Sequence, residues 1–519
     1  MTDTANSGPV LAADGRPLKT SLNRALRRSK LRAMLLIAPL LVFILITFVF
    51  PIGQMLFRSV ENQIVSDTLP RTTSALVSWD ASTGERPTDA VFSALVKDMM
   101  VAVEKKEHTR LGSRLNYETT GISSMFRKSG RRVDDMGEIY ADQFVALDPT
   151  WEDPAFWADL MAAPAASEVL PQTSDAYEAF ATTIASEDDL DPRVTQPWNI
   201  VYISLYEDLV ADPAVDVSAL PAEVATAQAA ATGFAVEDLA ASFIKVDKDW
   251  ATVKTWQTIQ TYSPAFTNGY FLNSIDRQKT PEGSEWRAEN RQIYLTLFVR
   301  TMIMSMTITI SCILLGYPVA WLLANLPMRQ ANLLMILVLL PFWTSLLVRT
   351  SAWKVLLQQQ GVINDIVVWL GLVADDNRLA LINNATGTII AMTHILLPFM
   401  ILPLYSVMKT IPPTYLRAAK SLGATNWTAF WRVYFPQSIP GIGAGSILVF
   451  ILSIGYYITP EIVGGTKGVF ISNRIAYHIS SSLNWGLAAA LGAILLVVVL
   501  LLYWAYDRIV GIDNVKLGG

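Results

Sequence analysis

Apolar residues along this chain gather in long unbroken runs, and the runs are unevenly placed. Residues 34–57, 294–326, 333–357, 386–408, 439–460 and 487–506 are each close to the ~20 apolar residues that a helix needs to cross a hydrocarbon core of roughly 30 Å. One run stands near the start and five fill the C-terminal part. Between the first and the second lies a long stretch in which apolar and polar positions alternate at shorter range, as in a water-facing domain. The pattern predicts an all-α polytopic membrane protein with six spans and a large insert between helices 1 and 2. Its organisation is a tail at 1–32, helix 1 at 33–57, the insert at 58–291, a five-helix core at 292–508 and a tail at 509–519.

The first run exceeds the ~7–15-residue core of a signal peptide and no small-x-small cleavage site follows, so it is expected to remain as an anchor. Arg16, Lys19, Arg24, Arg27, Arg28, Lys30 and Arg32 precede it, which keeps the N-terminus in the cytoplasm. Alternating sides from there puts Met328-Arg329, the 411–440 loop and the C-terminus inside, and the insert outside. Charge follows the same division: the insert holds 37 of the 45 acidic and 20 of the 40 basic residues. A negative domain and a positive remainder face different surroundings.

Of the 519 residues, 52% are hydrophobic and 16% charged, so composition also excludes an ordinary soluble protein. The single cysteine, Cys312, lies in the second run and leaves the insert without a disulfide, although its length is enough to bury a core. Within the insert, 93–107 and 174–186 have helical periodicity, 221–239 is Ala/Val-rich, and 198–206 alternates like a short strand, which predicts mixed α structure with minor β. No internal repeat is evident there. His108, its only histidine, sits among charges as a solvated side chain does, and Glu187-Asp188-Asp189 lacks the alternation of a calcium loop.

Polar residues at membrane depth are costly and mark candidate chemistry. Arg349, His394 and Glu461 are the ionisable groups there; they point to a solute path, to pairing with one another, or to snorkelling. Trp343, Trp353, Tyr456 and Tyr457 fit either cavity walls or an aromatic belt. Gly316-Tyr317-Pro318, Pro341, Pro398 and Pro403 are expected to break or kink their helices. Neighbouring helices can also tolerate such prolines.

Residues 415–440, YLRAAKSLGATNWTAFWRVYFPQSIP, are the most specific stretch. Arg417, Lys420 and Arg432 are its only charges. Ala418 and Ala419 let a partner approach the backbone closely, Gly423 can end one helix in a left-handed turn, and Trp427, Phe430 and Trp431 offer rigid anchors for a docking pocket. An amphipathic helix lying on the bilayer boundary is the plainer reading. The spacing of Ala418, Ala419, Gly423, Ala424, Val433, Phe435 and Pro436 resembles the E-A-A-x3-G-x9-I-x-L-P loop of ABC importer permeases. Arg417 stands where that family has glutamate, which inverts the sign of any salt bridge made there. LLGYPVAWLLA from Leu314, LPFWTSLLVRTSAW from Leu340, GVIND from Gly361 and ITPEIVGG from Ile458 are similar to the spermidine/putrescine-type permeases of type I ABC importers.

The resemblance implies that the loop is a coupling helix gripped by an ATPase dimer. It also implies a second permease subunit, an extracytoplasmic substrate-binding protein and a bacterial inner membrane with both termini cytoplasmic. The insert departs from the pattern, since such permeases have only a short connection between the first two helices. No phosphate-cradling G-x4-G-K-[ST] loop is present, so ATP and Mg are expected on the partner ATPase, with no cofactor on this chain and no catalytic site. Membrane lipid is an expected partner and nucleic acid is not. A polyamine-like substrate fits the resemblance; another small solute, a proton-coupled carrier and a membrane sensor are the alternatives.

Overall fold

A computed structural model describes residues 18–510, in two compact units. Residues 1–17 and 511–519, which hold parts of the two expected tails, lie outside the described residues. The first unit ends at Ser59 and is one helical rod: Leu18–Ile44, a π-helical turn at Leu45–Val49, then Phe50–Arg58. The stretch Ser29–Arg58 is long and apolar enough to cross a membrane.

In the second unit, Tyr294–Asn325, Ala385–Thr410, Asn426–Gly455 and Trp485–Arg508 pass the same test. The helices Met328–Trp343 and Leu346–Leu356 pass it only as a pair bent by 95° at a short break. Among the described residues five helices are thus long and apolar enough to cross a membrane, and six if the bent pair counts as one. Pro341 lies in the 3-10 turn Leu340–Trp343 at that bend, as expected of a residue that cannot donate to the helix ladder. The helices Tyr294–Asn325 and Ala385–Thr410 run through Pro318, Pro398 and Pro403 without a break, so these prolines do not end their helices. Both helices are packed by neighbours over much of their length, where a lost backbone bond is supported by protein. The second, fourth and fifth spans share one core around Ile308, Cys312, Met392, Leu396, Met400 and Val449. A Cβ added at Gly445 would come within 2.6 Å of the Met400 sulfur, so the absence of a side chain is what lets these two helices touch.

The insert is helical apart from one antiparallel hairpin, Arg277–Thr280 with Gly283–Trp286. The expected strand at 198–206 is instead part of the helix Asn199–Ala211. Ile200, Val201, Tyr202, Ile203, Leu205 and Leu209 are all buried, so this helix is apolar around most of its circumference and has no 3.6-residue stripe to read.

The insert also contains a tandem duplication. Leu69-Pro70 and Leu170-Pro171 open helices from nearly identical backbone angles, φ −126, ψ 55 and φ −125, ψ 62. Thr72 donates from N and Oγ1 to Asp98 Oδ2, both at 2.7 Å; Thr173 does the same to Asp208 Oδ2 at 2.8 and 2.7 Å. Further on, Trp157 Nε1 donates to Trp151 O and Trp256 Nε1 to Trp250 O, each at 2.8 Å. Each copy's tryptophans pack on the other copy's central helix: Trp256 lies edge-on to Phe92 at 4.9 Å, and Trp157 edge-on to Tyr202 at 5.1 Å. The expectation of no repeat is thus corrected. The copies share L-P-x-T, the aspartates Asp98 and Asp208, and F-x3-D-x2-W-x5-W, in which Asp148 and Asp247 each cap a 3-10 turn; these identities are few and spread over about a hundred residues per copy.

Candidate functional site

The segment after Thr410 is a helix, Pro413–Ser421, a tight turn, and a second helix from Asn426. Gly423 supplies the turn. Its φ is +89°, its N–H donates to Lys420 O at 3.0 Å, and the Ala424 N–H donates to Ala419 O at 3.0 Å, so paired bonds satisfy the last carbonyls of the first helix. Thr425 then caps the second helix by accepting from the Thr428 N–H at 3.2 Å. The expected left-handed break is therefore present, and it leaves Leu422 89% exposed at the apex with Trp427 at 71%. Arg417, Ala418, Lys420 and Arg432 are exposed, while Ala419 and Ala424 are half-buried. Among the described residues the three cations make no ion pair.

Trp427, Phe430 and Trp431 do not share one role. Trp427 and Trp431 stay exposed, whereas Phe430 turns inward against Tyr317 at 6.2 Å and Tyr434 at 5.9 Å. The reason is a π-helical turn at Phe430–Tyr434, whose extra residue rotates the aromatic face before Pro436 and the membrane helix Phe435–Gly455. Trp427 and the span thus lie on one continuous helix, Asn426–Gly455. Inside it Tyr317 OH and Ser438 Oγ lie 2.9 Å apart and tie it to the second span.

The membrane-depth residues fall into two groups. Trp353 Nε1 donates to His394 Nδ1 at 3.1 Å, and the Arg349 guanidinium lies within coulombic reach of the same ring, with its Nε buried and unpartnered. Glu461 accepts from Asn473 Nδ2 at 2.6 Å, and the same amide donates to Tyr457 O at 2.9 Å. Thr350 and Thr459, with hydroxyls 3.1 Å apart, join the helices that carry the two groups. His394 and Glu461 have separate partners and do not pair with each other. Trp343 stands apart, 71% exposed on its 3-10 turn. Sequence reasoning passed over Asn473, a neutral residue whose importance lies in its partners.

Where the insert joins the spans, the polar contacts are dense. Asp276, 1% exposed, accepts from the N–H groups of Ile293, Tyr294 and Leu295 at 3.0, 2.9 and 2.8 Å, so a carboxylate from the insert caps the helix Tyr294–Asn325. Arg114 and Glu118 form a buried pair at 2.8 Å, Arg114 Nε donates to Tyr270 OH at 2.8 Å, and Asn273 Nδ2 donates to Glu118 at 2.9 Å. Arg287 donates to Tyr117 O. Tyr294 OH meets His478 Nε2 at 3.0 Å and Ser482 Oγ meets His478 Nδ1 at 2.8 Å. Burial, with Arg474 nearby, pushes the His478 ring down to about 4, so it is neutral near pH 7. Tyr270, Tyr294, Leu297, Ile471, Leu487 and Leu491 close a common apolar cluster beneath these contacts. His478 carried no motif, and its spacing offered no signal.

Residues 296–510 match the family described as "binding-protein-dependent transport system inner membrane component". The spermidine/putrescine transport system permease protein PotB of Salmonella typhimurium (strain SL1344) is 35% identical over 220 residues, 42% of this chain and 76% of that protein. The inner membrane ABC transporter permease protein YdcU of Escherichia coli (strain K12) is 33% identical over 227 residues, 41% of this chain and 71% of that protein. A bacterial alginate ABC transporter, solved in complex with an alginate pentasaccharide-bound periplasmic protein, aligns over 44% of this chain and 84% of that one, at 19% identity and TM-score 0.34.

Proposed function

From the premise that this chain belongs to the family of binding-protein-dependent transport system inner membrane components, we propose that it supplies half of the translocation pathway of an ATP-driven importer for a polyamine-like solute. It is a transport subunit of a bacterial inner membrane, and ATP and Mg are used by a partner ATPase dimer. A second permease subunit completes the path, and an extracytoplasmic binding protein delivers the solute. The observation that carries this reading is the exposed apex at Leu422 and Trp427, of which Trp427 lies on a helix that continues without a break into a span. An ATPase that closes on such an apex moves the span with it.

Arg417, Ala418, Ala419, Gly423, Ala424, Trp427, Phe430 and Pro436 form the coupling segment in this reading, with Phe430 as the inner hinge contact. Arg349, His394, Tyr457 and Glu461 border the path, and Trp343 flanks it. The insert lies outside and its net negative charge steers the binding protein. Gly423→Val, which puts a β-branched residue at φ +89°, tests the coupling. In proteoliposomes with the partner ATPase, ATP hydrolysis should persist while labelled putrescine uptake falls at least tenfold; normal uptake would refute it.

One observation favours a second reading of the substrate. The buried, unpartnered Nε of Arg349 suits an anionic solute better than a diamine. Competition of labelled putrescine against an organic anion, in vanadate-sensitive uptake, separates the two.

A further inference from the structure

The insert's one hairpin, Arg277–Thr280 with Gly283–Trp286, is pinned beside the start of the second span. Arg277 follows Asp276, whose carboxylate caps the helix Tyr294–Asn325, and the Arg287 N–H donates to Asp276 O at 3.0 Å. At the base of the hairpin Arg277 and Trp286 are cross-strand partners. The Arg277 guanidinium lies 5.3 Å from the Trp286 ring centre and its Nη2 donates to Ser284 O at 2.7 Å, which holds the indole in one orientation. The ring is not buried by this contact. Trp286 is 58% exposed, and among the described residues its indole N–H makes no hydrogen bond. Successive residues of a strand point to opposite faces, and Glu285 accordingly accepts from Gln278 Nε2 at 2.9 Å on the side away from the ring.

The neighbouring spans set the depth of this ring. Leu295, Val299, Ile303, Met306, Ile310 and Leu314 are exposed at steps of three and four residues, so one face of the second span is apolar from its first turn onward. Leu295 and the exposed Trp321 are separated by about 39 Å along the axis at ~1.5 Å per residue, close to the roughly 40–45 Å of a bilayer with its headgroups. With Trp321 in one interface, the start of the helix falls in the other. Two further residues agree with that level. Arg300, about one turn in, carries its charge to Thr466 O at 3.0 Å, and the exposed Trp485 opens the last span beside Gly486, on which Tyr270 of the insert rests. Ile275 and Ile293 are exposed as well, so apolar residues continue past the end of the span as far as the hairpin. An exposed indole with a free N–H, stacked on a cation at the depth where spans leave the hydrocarbon, has the chemistry of an interfacial anchor. We propose that the hairpin anchors the insert to the membrane surface: Trp286 enters the headgroup layer beside the second span, its N–H donating to lipid phosphate or ester oxygens with the positive charge of Arg277 next to it. The partner is the bilayer itself, and the anchor is independent of what the path carries.

The test is electron paramagnetic resonance of the full chain in lipid nanodiscs, with a nitroxide on a single cysteine in a Cys312→Ser background. Trp286→Cys is compared with Glu285→Cys and with Val194→Cys, a position 75% exposed elsewhere on the insert. The ratio of collisions with oxygen to collisions with a water-soluble nickel chelate should be at least threefold higher at 286 than at 194, and 285 should resemble 194. Equal ratios at 286 and 194 would overturn the proposal. So would a label at 286 shielded from both reagents, which would put a protein surface where lipid is proposed. A second measurement keeps the ring in place: lipid brominated high in its acyl chains should quench a component of the tryptophan emission that Trp286→Phe lacks, and identical quenching of the two proteins would also overturn it.

Discussion

The ring of Tyr270 rests on the backbone of Gly486, where an added Cβ would lie 2.4 Å from two of its carbons. Tyr270 belongs to the insert and Gly486 to the first turn of the last span, so this contact joins the two parts of the second unit with no room for a side chain between them. The ring cannot easily yield, because its hydroxyl accepts from Arg114 Nε and the Arg114 guanidinium lies 4.5 Å over its face. Gly486→Ala should therefore cost about 1–3 kcal/mol, the range for overpacked sites. Tyr270→Ala in the same chain should recover part of that loss, and Tyr270→Phe, which keeps the ring, should not. A double-mutant cycle of thermal midpoints reads the coupling.

Asp276 is the second point of attachment. Asp276→Ala leaves three N–H groups at a buried helix start without their acceptor, and the expected cost is about 2 kcal/mol, at the upper end for cap substitutions. Asp276→Asn keeps one acceptor oxygen and tolerates the residue's φ of +59°, so its cost should be smaller. Denaturation midpoints of the two variants order them.

His478 gives the joint a pH dependence. Its folded value is pushed down to about 4 from an ordinary 6.5, so the unfolded chain takes up a proton first as pH falls. Stability from this group is complete above about pH 6.5 and is lost progressively between there and about pH 4, by an amount of order 3 kcal/mol. His478→Gln should be less stable at pH 7 yet show a flatter profile below it. A profile unchanged by the substitution would assign the acid sensitivity elsewhere.

The duplicated tryptophans are not equivalent in consequence. Trp151 O also accepts from Tyr202 OH at 2.7 Å, so Trp157→Phe leaves that carbonyl partnered. Phe92 occupies the place of Tyr202 in the other copy and has no hydroxyl to give to Trp250 O. Trp256→Phe should accordingly cost about 1 kcal/mol more than Trp157→Phe. Chemical denaturation of the two variants, side by side, decides it.

The membrane half was largely legible in the chain because spans announce themselves by length and apolarity. The 411–440 segment was legible because a glycine after a short amphipathic helix has few uses. Phe430 was misjudged with its neighbours, since a π-turn shifts the face by one residue and nothing in the side chains signals that shift. The helix Asn199–Ala211 was hidden by its complete burial, which erases the period that sequence patterns depend on. The repeat was hidden because its copies share backbone geometry and tryptophan positions, while Lys97 and Glu207, just before Asp98 and Asp208, carry opposite charges.

The capping of Tyr294–Asn325 by Asp276 also orders the events of biosynthesis. The insert leaves the ribosome before the helix that it caps, and domains fold as units in the order of synthesis. A folded insert thus presents a carboxylate to the second span as that span emerges, whereas the Tyr270 contact must wait for Gly486, which is made well after that span. Its attachment to the spans begins with Asp276 and is completed only once the helix Trp485–Val510 has been made.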